Sequence, residues 1–307
     1  MIFSLTVISV LAYKTILEIG NYKYEKSIIE LMKDKNLNRE IQSIIEHKTL
    51  DTKEYKIHYF ISGNKENETI VFLHPAFSDH NAFNPQIDFF SKDYCIITID
   101  LLGHGLSIPN NTKDKIDKSA FHINRILEKE GIEKAHMVGV SMGSLIAQYY
   151  TLEFPEKTSS LTALGGYSIN EINKEVEKAQ RSSNLALLLK AVISMRSFRK
   201  ATAKLTCVTE TGQAIFYESS LLYKRRSFML MQGLQYIIKD REKGKQAIPT
   251  LLLTGEYDID LAKKMANDWH SKIKNGEHKI IKNAGHCANL DNPSEFNNIL
   301  LEFLSVI

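Results

Sequence analysis

Residues 135–154 read AHMVGVSMGSLIAQYYTLEF, from Ala135 to Phe154. The first six are an apolar, strand-like run and the last twelve carry apolar residues at helical spacing, so the chain must turn sharply from strand to helix at Gly139-Val140-Ser141-Met142-Gly143. Such a turn forces its central residue into a strained backbone, and flanking glycines relieve the crowding. The central side chain then projects from the top of a sheet, at a helix N-terminus where backbone N–H groups and the dipole favour negative charge. Ser141 is therefore the candidate nucleophile.

Outward from this turn, short apolar runs alternate with helical stretches, the pattern of a mostly parallel α/β sheet. Strands are expected at 55–61, 69–73 (TIVFL), 94–100, 135–140, 160–164, 250–254 (TLLLT) and 279–282, and helices at 116–129, 142–154, 261–273 and 293–303. TIVFL, apolar on both faces, reads as a central strand. The rhythm breaks between Ser168 and Ala247, which contains NLALLLKAVISM and FMLMQGLQYII, both with helical spacing. This predicts one α/β core (residues 41–167 and 248–307), a helical cap inserted at 168–247, and an apolar N-terminal segment (residues 1–40). Ligands bind beyond the carboxyl ends of strands in open α/β folds, so the cap should cover that edge.

A serine hydroxyl needs a base, and the base a carboxylate to orient it. The loop after TLLLT offers Glu256, Asp258 and Asp260, and the loop after 279–282 offers His286. Of the ten histidines, His286 alone follows a late strand. An oxyanion needs backbone donors, one from Met142, after the nucleophile, and one from His74-Pro75-Ala76-Phe77, after TIVFL. Pro75 has no N–H to give, which leaves Ala76 or, failing that, Phe77.

Four motifs in order give the chain a resemblance to the α/β-hydrolase superfamily of the helical-cap type: the elbow, Asp100-Leu-Leu-Gly103-His104-Gly105-Leu-Ser107, Thr254-Gly255-Glu256-Tyr257-Asp258, and Gly285-His286 before a terminal helix. The resemblance runs from about residue 55 to the C-terminus. It implies the α/β-hydrolase fold and selects Asp258, three residues after the glycine, as the acid. It also places the second oxyanion donor at Ala76, although relatives commonly carry His-Gly where this chain has His-Pro. Serine in the elbow implies acyl transfer, where members with aspartate there open epoxides or displace halides. The expected activity is hydrolysis of a small-molecule carboxylic ester, of the carboxylesterase or lipase-like kind. The alternatives are C–C or thioester hydrolysis on the same triad, or a non-catalytic ligand-binding protein. His74 and Asp100 read as loop-bracing groups, and Gly103 and Gly105 as turn glycines rather than a phosphate cradle.

The 39 basic and 36 acidic residues give a net charge of +3 and no nucleic-acid footprint. That balance is uneven, since residues 168–247 hold 15 Lys or Arg against 7 Asp or Glu. Three scattered cysteines, Cys95, Cys207 and Cys287, have no zinc spacing and suit a reducing, cytoplasmic setting. No metal, nucleotide or redox cofactor is expected. Residues 1–13 (MIFSLTVISVLAY) are uncharged, short of the roughly 20 apolar residues that span a bilayer. They suit a helix packed on its own domain or a peripheral membrane contact, alone or beside the basic cap.

Overall fold

The computed structural model describes residues 2–34, 45–241 and 248–307, with backbone alone for residues 2–13 and 184. Eight strands form one sheet: β1 (Glu46–Asp51), β2 (Lys56–Ser62), β3 (Thr69–Leu73), β4 (Cys95–Ile99), β5 (Ala135–Val140), β6 (Thr158–Leu164), β7 (Thr250–Gly255) and β8 (Gly276–Ile281), in the order β1-β2-β4-β3-β5-β6-β7-β8. β1 and β2 pair antiparallel, as do β2 and β4, and every other pairing is parallel. This is the α/β-hydrolase fold, with a mostly parallel sheet flanked by helices.

The helices are α1 (Ile2–Asp34), α2 (Asn84–Phe90), α3 (Ser119–Glu130), α4 (Met142–Glu153), α5 (Lys174–Ile193), α6 (Met195–Thr206), α7 (Glu210–Ser219), α8 (Ser227–Leu230), α9 (Leu234–Ile237), α10 (Asp260–Lys272), α11 (Ala288–Asp291) and α12 (Pro293–Leu304). Strand side chains alternate between faces. Val71, Leu73, Ile97 and Met137 pack with Ile123, Leu145 and Trp269 on one side of the sheet. Ile70, Phe72, Val138 and Leu251 pack with Phe90, Phe216 and Phe296 on the other. Ile28 and Met32, near the end of α1, join this second layer.

Sequence and structure differ at three places. β1 is absent from the sequence reading because only Leu50 of its six residues is buried, so it has no apolar alternation to detect. FMLMQGLQYII forms two short helices, α8 and α9, because Gly233 between them sits at φ +121°, a conformation that side-chain-bearing residues rarely adopt. NLALLLKAVISM is not one helix, because α5 ends at Ile193 and Ser194 caps α6 from Met195; of the leucines in α5 only Leu187 is buried, while Leu185, Leu188 and Leu189, with Val192 and Ile193, face outward. The boundary expected between residues 40 and 41 lies outside the described residues, as does residue 247, the expected end of the cap. Among the described residues no helix is long and apolar enough to cross a membrane.

Candidate active site

The loops after β3, β5, β7 and β8 all leave the carboxyl edge of the sheet, and they carry Ala76, Ser141, Asp258 and His286. Ser141 has φ 51° and ψ −115°, a left-handed backbone in a residue that is not glycine. Its N–H donates to Leu164 O at 2.7 Å, and Ser144 Oγ donates to its carbonyl at 2.6 Å. The flanking glycines are steric necessities. A Cβ on Gly139 would stand 2.3 Å from Gly143 O, and one on Gly143 would stand 2.0 Å from Leu73 O.

Ser141 Oγ lies 2.8 Å from His286 Nε2, and His286 Nδ1 lies 2.9 Å from Asp258 Oδ1. The same Oδ1 accepts the Ile259 N–H at 2.8 Å, which turns the carboxylate toward the ring. Asp258 has no solvent-exposed side-chain surface, and His286 keeps 19% of its own. Burial alone would depress the His286 imidazole; the charge of Asp258 and its hydrogen bond overcome it and raise the group to about 9. Glu256 does not join this arrangement, because its Oε2 accepts the Asn283 N–H. Asp260 begins α10 and pairs with Lys263.

Met142 is the first residue of α4, so its N–H has no intrahelical acceptor. Across from it, the loop His74–Asp79 is braced from several directions. His74 Nδ1 donates to Pro75 O at 2.8 Å and its Nε2 accepts the Leu101 N–H at 3.1 Å; burial lowers its pKa to about 4 and keeps it neutral. Asp100 accepts from the N–H and Nδ1 of His80 and from the Leu106 N–H. Gly105 passes so close beneath Asp100 that a Cβ there would fall 2.2 Å from Oδ2. Phe77 sits at φ 71°, with its ring edge-on to Phe198 of α6 and to Tyr223. Ser78 Oγ lies 2.7 Å from Ser219 Oγ at the end of α7. The loop carrying Ala76 is thus fastened to helices that lie between β6 and β7.

Two site-shaping residues carry no sequence signal of their kind. Gly165, at φ 63° after β6, faces the imidazole: a Cβ there would lie 2.8 Å from His286 Cε1. Asp291 accepts from the N–H groups of Gly285, Val208 and Thr209 and from Thr209 Oγ1, joining the His286 loop to the α6–α7 junction. Cys287 is buried and its N–H donates to Thr206 O. Of the basic run 224–226, Arg225 donates to Ala191 O and Arg226 to Asn110 Oδ1, so both brace the helices. Among the described residues no group of three or more His, Cys, Asp or Glu could hold a metal ion.

Residues 68–185 match the family model for the alpha/beta hydrolase fold. The chain is 24% identical over 262 residues to an uncharacterised carboxylesterase of Bacillus subtilis (strain 168), covering 83% of this chain and 85% of the relative. It is 26% identical over 273 residues to a 2-hydroxy-6-oxononadienedioate/2-hydroxy-6-oxononatrienedioate hydrolase of Pseudomonas sp, covering 81% and 92%. A bacterial membrane phospholipase A superposes with a TM-score of 0.72 at 18% identity, covering 99% of this chain and 98% of that one.

Proposed function

From its membership of the α/β-hydrolase superfamily, we propose that this chain is a serine hydrolase that cleaves a small-molecule carboxylic ester through Ser141, His286 and Asp258. The observation that carries the reading is the unbroken line of hydrogen bonds from Ser141 Oγ through His286 to Asp258, at 2.8 and 2.9 Å. Similarity to carboxylesterases supports an ester as the substrate class.

In this mechanism His286 Nε2 takes the proton of Ser141 Oγ as the oxygen attacks the ester carbonyl, while Asp258 holds the opposite ring N–H and stabilises the imidazolium. The carbonyl oxygen gains negative charge and is met by the N–H groups of Met142 and Ala76. Collapse expels the alcohol, which leaves with the proton from His286, and an acyl group remains on Ser141. A water molecule gives its proton to His286 and attacks the acyl carbon, releasing the carboxylic acid and restoring Ser141. Met142 is well suited to its part, because the strained Ser141 backbone opens α4 at that point.

The test is labelling by a fluorophosphonate probe together with turnover of p-nitrophenyl esters. We expect a single adduct at Ser141, and a loss of turnover of about 10⁶-fold in Ser141→Ala, as triad removal costs in serine hydrolases generally. Folded protein that takes no label, or turnover that survives the substitution, would overturn the proposal. C–C bond hydrolysis on the same three residues is the second reading, favoured by the 26% identity to the Pseudomonas hydrolase. Turnover of a vinylogous diketone acid, with p-nitrophenyl esters left uncleaved, would select it.

A further inference from the structure

Two helices that both pack on α6, α1 and α5, carry apolar stripes covered by no other part of the described chain. On α1, Asn21, Ile28 and Met32 turn toward the protein and are buried, whereas Ile16, Ile19 and Tyr22, at three-residue spacing, face away and are 70%, 52% and 59% exposed. On α5, Leu187 and Ala191 pack against Phe198 and Tyr223, whereas Leu185, Leu188, Leu189, Val192 and Ile193 form the opposite, exposed face. A helix that docks one apolar face and exposes another has two partners to satisfy, and only one is found among the described residues.

The α5–α6 corner ties the two helices to each other through α6. One residue after Ile193, Ser194 caps α6. Arg196 then reaches across to α1, with Nη1 at 3.6 Å from Glu18 and Nε at 2.9 Å from Glu25. Asn21 Nδ2 donates to Ser197 Oγ at 2.6 Å. The first turn of α6, which begins two residues after α5 ends, is therefore anchored on α1 between Glu18 and Glu25. Arg196 engages both of those carboxylates, and the exposed charges flanking the corner include Lys14, Lys23 and Lys190. Beyond Lys14, toward the N-terminus, the sequence carries no charge through residues 1–13.

We propose that this corner is a membrane seat: the amino-terminal part of α1 and the outer face of α5 rest in the surface of an anionic lipid bilayer. The chemistry is that of an interfacial helix, with aliphatic side chains entering the acyl boundary and lysines at the headgroup level. An uncharged run leading into an exposed aliphatic stripe, with a lysine rim and a second stripe alongside, fits a bilayer. The rim also makes the attachment sensitive to salt, since exposed charges are screened over about 10 Å at 0.1 M.

The experiment is flotation of the full chain with vesicles of phosphatidylcholine alone or with 30% phosphatidylglycerol, at about 0.05 and 0.5 M NaCl, a range that shortens the screening length. We expect the protein to rise with the vesicles, more strongly with the anionic lipid and at low salt. Ile16→Lys with Ile19→Lys, and separately Leu188→Lys with Val192→Lys, should each weaken flotation at least tenfold. All four positions are exposed, so thermal unfolding and hydrolysis of a soluble ester should match the parent. Protein that stays at the bottom with both vesicles at low salt would overturn the proposal. So would flotation unchanged in both variants, or a seat that sedimentation shows to be filled by a second copy of the chain without vesicle binding.

Discussion

Replacing Asp258 by Asn tests the electrostatic account of the site through stability as well as rate. The carboxylate raises the His286 imidazole from 6.5 to about 9 against the effect of burial. At 1.36 kcal/mol for each pH unit, that rise is worth about 3 kcal/mol of folding free energy. Because the folded value lies above the unfolded one, the contribution is fully present below pH 6.5 and is lost as pH climbs through 9. Asn keeps the shape and removes the charge, so burial alone then acts on the ring and pushes its pKa below the ordinary value. Urea unfolding of both proteins from pH 6 to pH 10 should show the parent's advantage shrinking by about 3 kcal/mol across that range. The same charge governs the rate. Only neutral His286 can take the serine proton, so kcat/KM of the parent should rise along a limb centred near pH 9. The limb of the Asn variant should move to lower pH, with kcat about 10⁴-fold down because the ring loses its preferred tautomer. A stability difference that is flat with pH, or a parent limb centred near 6.5, would refute the reasoning.

Three further substitutions probe the frame around the site. Gly143→Ala places a methyl group 2.0 Å from Leu73 O, so the elbow must open; we expect a loss above about 3 kcal/mol in urea unfolding and no probe labelling at Ser141. Asp79, buried beside Asp100, has its carboxyl raised to about 7. The folded state therefore penalises the charged form, and Asp79→Asn should gain stability over the parent as pH rises from 4 to 8, a trend that thermal unfolding at several pH values would read. Phe77→Ala empties a half-buried ring site among Phe198, Tyr223 and Phe228. It should cost about 2 kcal/mol, less than a fully buried phenylalanine, and lower kcat for a p-nitrophenyl ester more than it raises KM, because the loop bearing Ala76 loses its hold.

The middle of the parallel core was legible because its strands are buried on both faces, and both TIVFL and AHMVGV have nothing but buried residues. The elbow was legible because steric necessity leaves a mark in the sequence: where Leu73 O and Gly143 O approach so closely, only glycine fits. β1 left no such mark, since it is held by its pairing with β2 and by polar contacts such as Lys48 with Glu130, and Leu50 is its one buried residue. The direction in which α5 turns its leucines was illegible for another reason. A helix apolar on two sides has a periodicity that does not say which side meets the protein. Asp291 shows the limit most plainly. It is one acidic residue in a loop, and its four donors come from sequence positions up to 83 residues away.

That carboxylate also bears on how the molecule can be re-engineered. One side chain fixes the loop of the base and the bend between α6 and α7, so the helices between β6 and β7 cannot be exchanged as an independent cassette. A chimera cut at residues 168 and 247 would inherit a foreign bend under its own histidine loop, unless the graft supplies donors matching Val208 and Thr209. Laboratory evolution of substrate range should accordingly find its tolerated insertions on the outer faces of these helices, and its compensating second-site changes near Asp291.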